Sequence, residues 1–337
     1  MNILFLCLGT FIFLVTALDI IKTTLSTMGG GKLTNFITKR VWLIYFSASG
    51  KDGKSKLLSY AGPTILVSIL LTWIIGLWSG LFLVLLSDAD SIVNSQTKAS
   101  ASALEKLYYA GFTLSTLGIG DYIASNNTWR IVTGVAAFSG LAFITASITY
   151  FVPVLSAVGL QSKLSLYINS MGKSPQQILT NSWNGKSFSS FFDNTSDLCQ
   201  MLMQHTMNHH SYPVIHYFHN SKPQHSIAPA LVKLDETSKL LQHGIAGEEA
   251  INRLKLNMLQ TTIDAFLDMV QGSFLRDTST KEAAPTPNLL QLREGDMPLR
   301  EQDETAQTFN TTLQERRKVL TALLEMDGWS WNDVYSS

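Results

Sequence analysis

The chain has 337 residues, room for one or two domains beside any membrane part. Its 25 Lys+Arg balance 25 Asp+Glu, so no global basic field points to nucleic acid as a partner. Its two cysteines, Cys7 and Cys199, are too far apart to suggest a disulfide framework or a zinc cluster, and both read as small buried hydrophobes.

Residues 1–21 begin with an uncharged apolar run from Met1 to Leu18. It has no positive leader and no small-x-small cleavage site, so a retained transmembrane helix is expected. Asp19, near its end, reads as an interfacial carboxylate. Residues 22–59 carry Lys22, Lys32, Lys39, Arg40, Lys51, Lys54 and Lys56 against Asp52 alone. Basic loops mark the inner side of a membrane, which places this segment inside and the N-terminus outside. Phe36, Val41, Trp42, Ile44, Tyr45 and Phe46 interleave with Lys39 and Arg40. That pattern fits a helix in the headgroup plane or one packed on a soluble domain. Gly29-Gly30-Gly31-Lys32 lacks the earlier glycine of a phosphate loop, because position 26 is Ser, and reads as a flexible turn.

Residues 60–160 hold the densest signal. From Tyr60 to Ser87 there is no charge, enough for an outgoing membrane helix, and Gly76 and Gly80 are spaced for close helix packing. A short polar outer loop follows, with Asp88 and Asp90 against Lys98. Leu104 to Ser115 is too short to span and is expected to be a re-entrant pore helix, its C-terminal end aiming partial negative charge at an ion path. Next comes Thr116-Leu117-Gly118-Ile119-Gly120-Asp121. Glycine takes left-handed backbone conformations that other residues resist. Alternated with ordinary residues, it lets successive carbonyls face one axis and replace the water shell of a cation. Irregular backbone at membrane depth is tolerated only where it is buried in protein or lines water. A second long helix starts at Trp129 and Arg130 and is uncharged from Ile131 to Ser162. Gly140 and Pro153 within it are expected as hinge and gate, or as plain packing positions. Thr145, Ser147 and Thr149 would wet an inner vestibule or bond back to their own helix.

The order of pore helix, T-x-G-x-G-D and apolar helix resembles the potassium-channel pore family, in the two-helix pore module of bacterial ion channels. The resemblance covers residues 60–160. It implies a homotetramer whose filter, Thr116 to Gly120, holds K+ ions on its carbonyls, with Asp121 shaping the outer mouth and Gly140 placed like the hinge glycine of inner helices. It implies no other cofactor. Two positions depart from the family: Leu117 stands where Val or Ile is usual, and Ile119 where Tyr or Phe is commoner and braces the filter from behind. A potassium channel, a non-selective or sodium-permeable cation channel, and a non-conducting sensor or scaffold signalling through the tail all remain open. No nucleophile-base pair or metal-ligand set points to an enzyme.

Residues 161–276 read as a soluble helical domain on the cytoplasmic side of the plasma membrane. One helix would bury Phe188, Phe191, Phe192, Thr195, Leu198, Cys199, Leu202, Met203 and Thr206. A second, from Pro229 to Gly244, would turn Leu231, Leu234 and Leu241 inward. A third, from about Glu248 to Arg276, carries Ile251, Leu254, Met258, Ile263, Phe266, Val270 and Phe274 on one stripe. No strand and glycine-rich turn opens a nucleotide-binding unit, so the gating ligand or protein partner is unassigned. All seven histidines lie between His205 and His243. His205 and His209 have metal-ligand spacing, and a metal or proton sensor is the sharp reading; hydrogen-bonded or surface histidines are the plain one, since no paired ligand pattern accompanies them. Residues 277–310, with Pro285, Pro287 and Pro298, read as a disordered linker. In residues 311–337, Thr312-x-x-Glu315 suggests a capping box for a helix with Leu313, Leu320, Leu323 and Leu324. Asp327-Gly328 would end that helix, and Trp329 and Trp331 would dock on the domain or on a neighbouring subunit. The expected whole is an all-α membrane protein in the lipid bilayer: three transmembrane helices, one re-entrant pore helix with its filter, and a soluble helical C-terminal domain.

Overall fold

The computed structural model describes residues 1–26, 29–275, 283–293 and 296–335. Their regular structure is helical apart from one short two-stranded sheet and isolated bridges, and they divide into two units. The first comprises Met1–Val41, Pro63–Leu155 and Ser211–Pro213; the second comprises Trp42–Gly62, Ser156–His210 and the residues from 214 onward.

In the first unit, α1 (Ile3–Leu25) is capped by the Asn2 side chain, which accepts the Leu4 and Phe5 amides. Helices α2 (Lys32–Ala48) and α3 (Ala61–Leu86) follow, and strand β1 (Ile92–Asn94) lies beyond α3. Next come α4 (Ala103–Leu114), strand β2 (Tyr122–Ala124) and α5 (Asn127–Met171), whose later residues belong to the second unit. Three stretches are long and apolar enough to cross a membrane: Ile3–Leu25, Leu58–Leu86 and Asn127–Met171. Helices α1 and α3 meet through glycines. A Cβ on Gly76 would fall 2.4 Å from Thr16 Oγ1, one on Gly80 2.8 Å from the Phe13 amide, and one on Gly9 2.7 Å from the Gly80 carbonyl. The Gly76/Gly80 spacing therefore serves helix packing, as small residues do in lipid.

Asp19 departs from the expectation of an exposed interfacial group. It is buried and accepts hydrogen bonds from the Leu33 amide at 2.9 Å, the Thr34 amide and hydroxyl at 3.2 and 2.6 Å, and Trp73 Nε1 at 3.1 Å. The first two amides belong to the first turn of α2, where a carboxylate offsets unpaired N–H groups and the helix dipole. The glycine run is likewise a tight elbow and not a loose turn. A Cβ on Gly31 would lie 2.0 Å from Asp19 Oδ1, and the Gly31 amide donates to Thr23 Oγ1 at 2.8 Å. Cys7 is exposed on α1 instead of buried, because the packing face of that helix runs through Gly9 and Thr16.

The second unit has its own core. Helices α6 (Pro175–Ser182), α7 (Ser189–Ser211), α8 (Ile227–His243) and α9 (Arg253–Ser273) are followed by α10 (Leu290–Arg293), α11 (Gln302–Asn310), α12 (Gln314–Met326) and α13 (Asn332–Tyr335). Helix α8 is central and buried on every side, as its polar residues Lys233, Asp235, Glu236, Thr237 and Ser238 show. The two carboxylates are matched by arginines, and Lys233 donates to Asn169 Oδ1. Arg317 grips Glu236 through two hydrogen bonds of 2.9 and 3.0 Å, and Arg316 bridges Asp235 and Asp264. The Arg317 guanidinium also stacks over the Trp331 and Phe309 rings. Two parallel N–H···O bonds make an arginine-carboxylate pair strong and directional.

Several expectations are corrected here. In the described part of 277–310 the chain is ordered: α10 and α11 form, and Leu289, Leu292 and Phe309 are buried in the core. Those apolar residues are few but join the core of the helical unit, which composition alone does not reveal. Helix α12 starts at Gln314 after an uncapped Leu313, so Thr312 is not its cap. Along α9 the buried residues are Leu256, Leu259, Ile263, Phe266, Leu267 and Val270, while Leu254 and Met258 are exposed. Asn252 caps the helix and starts it later than expected; Ile263, Phe266 and Val270 are buried as expected, and in the first turns Leu256 and Leu259 take the inward positions. Met203 on α7 is exposed too. Trp329 and Trp331 dock within the same unit, buried at 3 and 1% exposure. Trp42 is buried against Phe46 and Tyr217, so the end of α2 takes the packed reading, while Phe36, Leu43 and Ile44 stay exposed.

Candidate ion-conduction site

Helix α4 begins with the reciprocal cap of Ser102 and Glu105 and ends at Leu114. Its last turn is closed by the Thr116 amide on the Thr113 carbonyl and the Leu117 amide on the Phe112 carbonyl. The loop then alternates. Thr116, Gly118 and Gly120 have φ of +60, +57 and +85°, and neither Leu117 nor Ile119 has positive φ. That alternation is the backbone condition for carbonyls of consecutive residues to turn to the same side. No atom lies within 4 Å of a Cβ built on Gly118 or Gly120, so conformation and not crowding calls for glycine there. Thr116 is the unforeseen member. A β-branched residue at positive φ is strained by about 1–3 kcal/mol and persists only where its surroundings impose it, typically at functional sites.

The loop is held from outside. Strands β1 and β2 pair antiparallel, Ile92 with Ala124, and the Asp121 carbonyl accepts the Ser95 amide at 2.8 Å. The Asp121 side chain accepts the Tyr122 amide, while the Tyr122 hydroxyl donates to Glu105 on α4. Lys106, 3% exposed, donates to the carbonyls of Leu85, Asp88 and Ala89, capping the end of α3 with a positive charge. Trp129 Nε1 donates to Asp88 at 2.9 Å, and Trp78 Nε1 to the Leu107 carbonyl at 2.8 Å. Sequence reasoning passed over Lys106; its signal is the lone cation of the pore helix, beside the capping Glu105. The ring absent at Ile119 has neighbours elsewhere: Tyr108 and Tyr109 of α4 lie 5.1 and 4.9 Å from Phe112, and Tyr108 lies 6.3 Å from Tyr122. Thr116, Gly118 and Gly120 edge a cavity of about 510 Å³ shared with Tyr109 and Thr133.

Gly140 lies where α5 crosses the end of α4, and a Cβ there would sit 2.0 Å from the Leu114 carbonyl. Helix α5 runs unbroken through Pro153. The hydroxyls of Thr145, Ser147 and Thr149 bond back to carbonyls of α5 itself. His205 and His209 come together with His216: the first two rings are 5.8 Å apart, and His209 Nε2 lies 3.1 Å from His216 Nδ1. Among the described residues, no group of three His, Cys, Asp or Glu side chains is placed to hold a metal ion.

Residues 68–157 match the sequence model of a family described as ion channel. This stretch, with its re-entrant helix, filter-like loop and flanking membrane helices, is an ion-channel pore module of the two-helix, potassium-channel-like type. Over 332 residues the chain is 29% identical to an uncharacterized membrane protein of Bacillus subtilis (strain 168), YdjJ, covering 98% of this chain and 96% of that one. No solved structure matches. The chain is a membrane protein with an ion-channel pore module.

Proposed function

We propose that four copies of the chain assemble around one axis into a potassium-conducting channel. The observation that carries this reading is the alternating φ sign at Thr116, Gly118 and Gly120, set between two membrane helices. One such loop cannot surround an ion; a ring of four can, with its carbonyls replacing water around K+. In the single chain Leu117 and Ile119 are 66 and 54% exposed, a cost that neighbouring copies would remove. The Thr116 hydroxyl and carbonyl would form the inner mouth, and the Asp121 carboxylate the outer field. Basic residues 22–59 put the N-terminus outside and the helical domain inside a plasma membrane. Gly140 and Pro153 would be the movable parts of α5: the proline has no N–H for the Thr149 carbonyl.

The test is potassium against sodium flux into proteoliposomes holding the purified protein, with Gly118→Ala as the matched control. Potassium flux well above sodium flux, lost in the variant, is the expected result. A second reading, a non-selective cation pore, is favoured by the half-exposed, ringless Ile119 and predicts equal flux of both ions. Absence of flux under every condition would overturn both.

A further inference from the structure

Seven buried side-chain nitrogen or oxygen atoms lack a hydrogen-bond partner among the described residues, and five of them belong to four residues around one chamber in the helical domain. They are Gln161 Oε1 on α5, both ring nitrogens of His205 and Nδ1 of His209 on α7, and Oδ1 of Asp327 just past α12. The exposures are 7, 0, 3 and 8% for Gln161, His205, His209 and Asp327. Leaving one such atom unpaired costs about 1–3 kcal/mol, and folded proteins rarely do so. Four residues bearing such atoms around one space mark an occupant, and a single water can reach one of the two His205 nitrogens.

The size of the space and its lining restrict that occupant. The chamber holds about 10 Å³, close to the minimum for one water, which needs two to four polar partners. Ile227 and Ala228 of α8, Phe266 of α9 and Leu323 of α12 complete the wall and bring no ionisable group. The titratable groups facing it are His205, His209, His216 and Asp327, with the Tyr217 hydroxyl close enough to feel the Asp327 charge. None of them supplies a fixed positive charge. A buried carboxylate without a cation is expensive, as is a buried imidazolium without an anion, so the arrangement is cheapest with one proton among the four groups. Burial acts accordingly: it raises Asp327 to about 7 and lowers His205 to about 4.

We propose that the chamber is a proton-binding site in which one buried water, bonded to Gln161, His205 and His209, shares a single proton with Asp327. The site reaches two other parts of the chain through covalent links. Gln161 is fixed by its Nε2 donating to the Phe218 carbonyl at 3.3 Å and lies on the same helix as Gly140 and Pro153. Asp327 directly precedes the segment that docks Trp329 and Trp331. Loss of the proton leaves a net negative charge in the chamber and weakens both seats.

The proposal does not depend on the pore conducting, and its test needs no flux. Infrared spectra of the purified full chain are recorded across neutral pH, with Asp327→Asn for assignment and with metal content measured on the same sample. The expected result is the carbonyl band of a protonated buried carboxylic acid, lost as pH rises through about 7 and absent from Asp327→Asn. Gln161→Leu, which keeps the ionisable groups and removes one partner of the water, should keep the band and move its midpoint by about one pH unit, a tenfold change in proton affinity. A wild-type carboxylate ionised throughout, a band that persists in Asp327→Asn, or a stoichiometric bound metal would each overturn the proposal.

Discussion

Along α5, Ile131, Val135 and Phe138 are 69, 63 and 78% exposed, while Leu164 and Ile168, further down the same helix, are at 0%. The two ends of one helix are built for different surroundings. Nearer its start the apolar side chains point outward, and polar side chains of the first unit close backbone ends: Asp19 on α2 and Lys106 on α3. In the helical domain the apolar side chains point inward, and the polar groups inside the core include paired charges, Glu236 with Arg317 and Asp235 with Arg316. A helix face open to hydrocarbon gains nothing by hiding leucine, but it must satisfy every backbone group. A domain in water gains most of its stability from hiding leucine. Perturbations should therefore separate: the first region fails through backbone geometry, the second through core charges and packing.

The largest effect expected is at the crossing of α5 and α4. In Gly140→Val the new Cβ would meet the Leu114 carbonyl at 2.0 Å, a backbone atom that cannot swing away, so the end of the pore helix must shift. Ion flux should fall to background, while thermal unfolding of the helical domain, followed by circular dichroism, should not change. Retained flux would show that the pore helix has slack at this point.

Next in size is the ion pair in the domain core. Arg317→Ala leaves Glu236 with 1% side-chain exposure and without its guanidinium, and removing one partner of a buried pair costs about 3–5 kcal/mol. Denaturant unfolding should register a loss of that order with potassium-to-sodium preference unchanged. A smaller loss would mean that Glu236 takes up a proton, a state its burial already favours.

Asp19→Ala comes third. It removes the acceptor for the Leu33 and Thr34 amides and Trp73 Nε1, at about 1–3 kcal/mol for buried donors left unpaired. Hydrogen exchange should speed up at the first turn of α2 and stay unchanged along α8.

The difference between the regions also decides what could be read in the sequence. Charge-free runs mark α1, α3 and α5 because lipid demands them, and the spacing of Thr116, Gly118 and Gly120 survives because only certain residues reach positive φ. Leu231, Leu234 and Leu241 were legible by period, but Lys233, Asp235 and Glu236 on the same helix were not. Their partners lie on α12 and α5, and a partner some eighty residues away leaves no local trace. Asp19 shows the same limit in the membrane region: a carboxylate at a helix end reads as exposed until Gly31 and Thr34 fold back onto it. Along α9 Ile263, Phe266 and Val270 were legible by period, while in the first turns Leu256 and Leu259 compete with Leu254 and Met258 and the period does not choose between them.

The smallest effect expected is a pH dependence of the helical domain, and its sign follows from the chamber. His205 and His216 are pushed by burial from 6.5 to about 4 and about 3, so between those values and 6.5 the unfolded chain binds protons that the folded one does not. Their contribution to stability is present above 6.5 and is lost as pH falls. Asp327 works in reverse: raised from 3.8 to about 7, it holds a proton in the fold that the unfolded chain has released, and its contribution is lost as pH rises through that window. Below 6.5 the imidazoles, His209 among them, outnumber the carboxyl, so the unfolding temperature should climb with pH. Around neutrality the last imidazole protons of the unfolded chain and the proton of Asp327 offset one another, and the curve should flatten; Lys233, lowered to about 8, enters later. In Asp327→Asn the climb should continue through pH 7 without that flattening. A wild-type curve that climbs through neutral pH as steeply as that of Asp327→Asn would instead mean that Asp327 is charged in the fold and that a cation has been found for it.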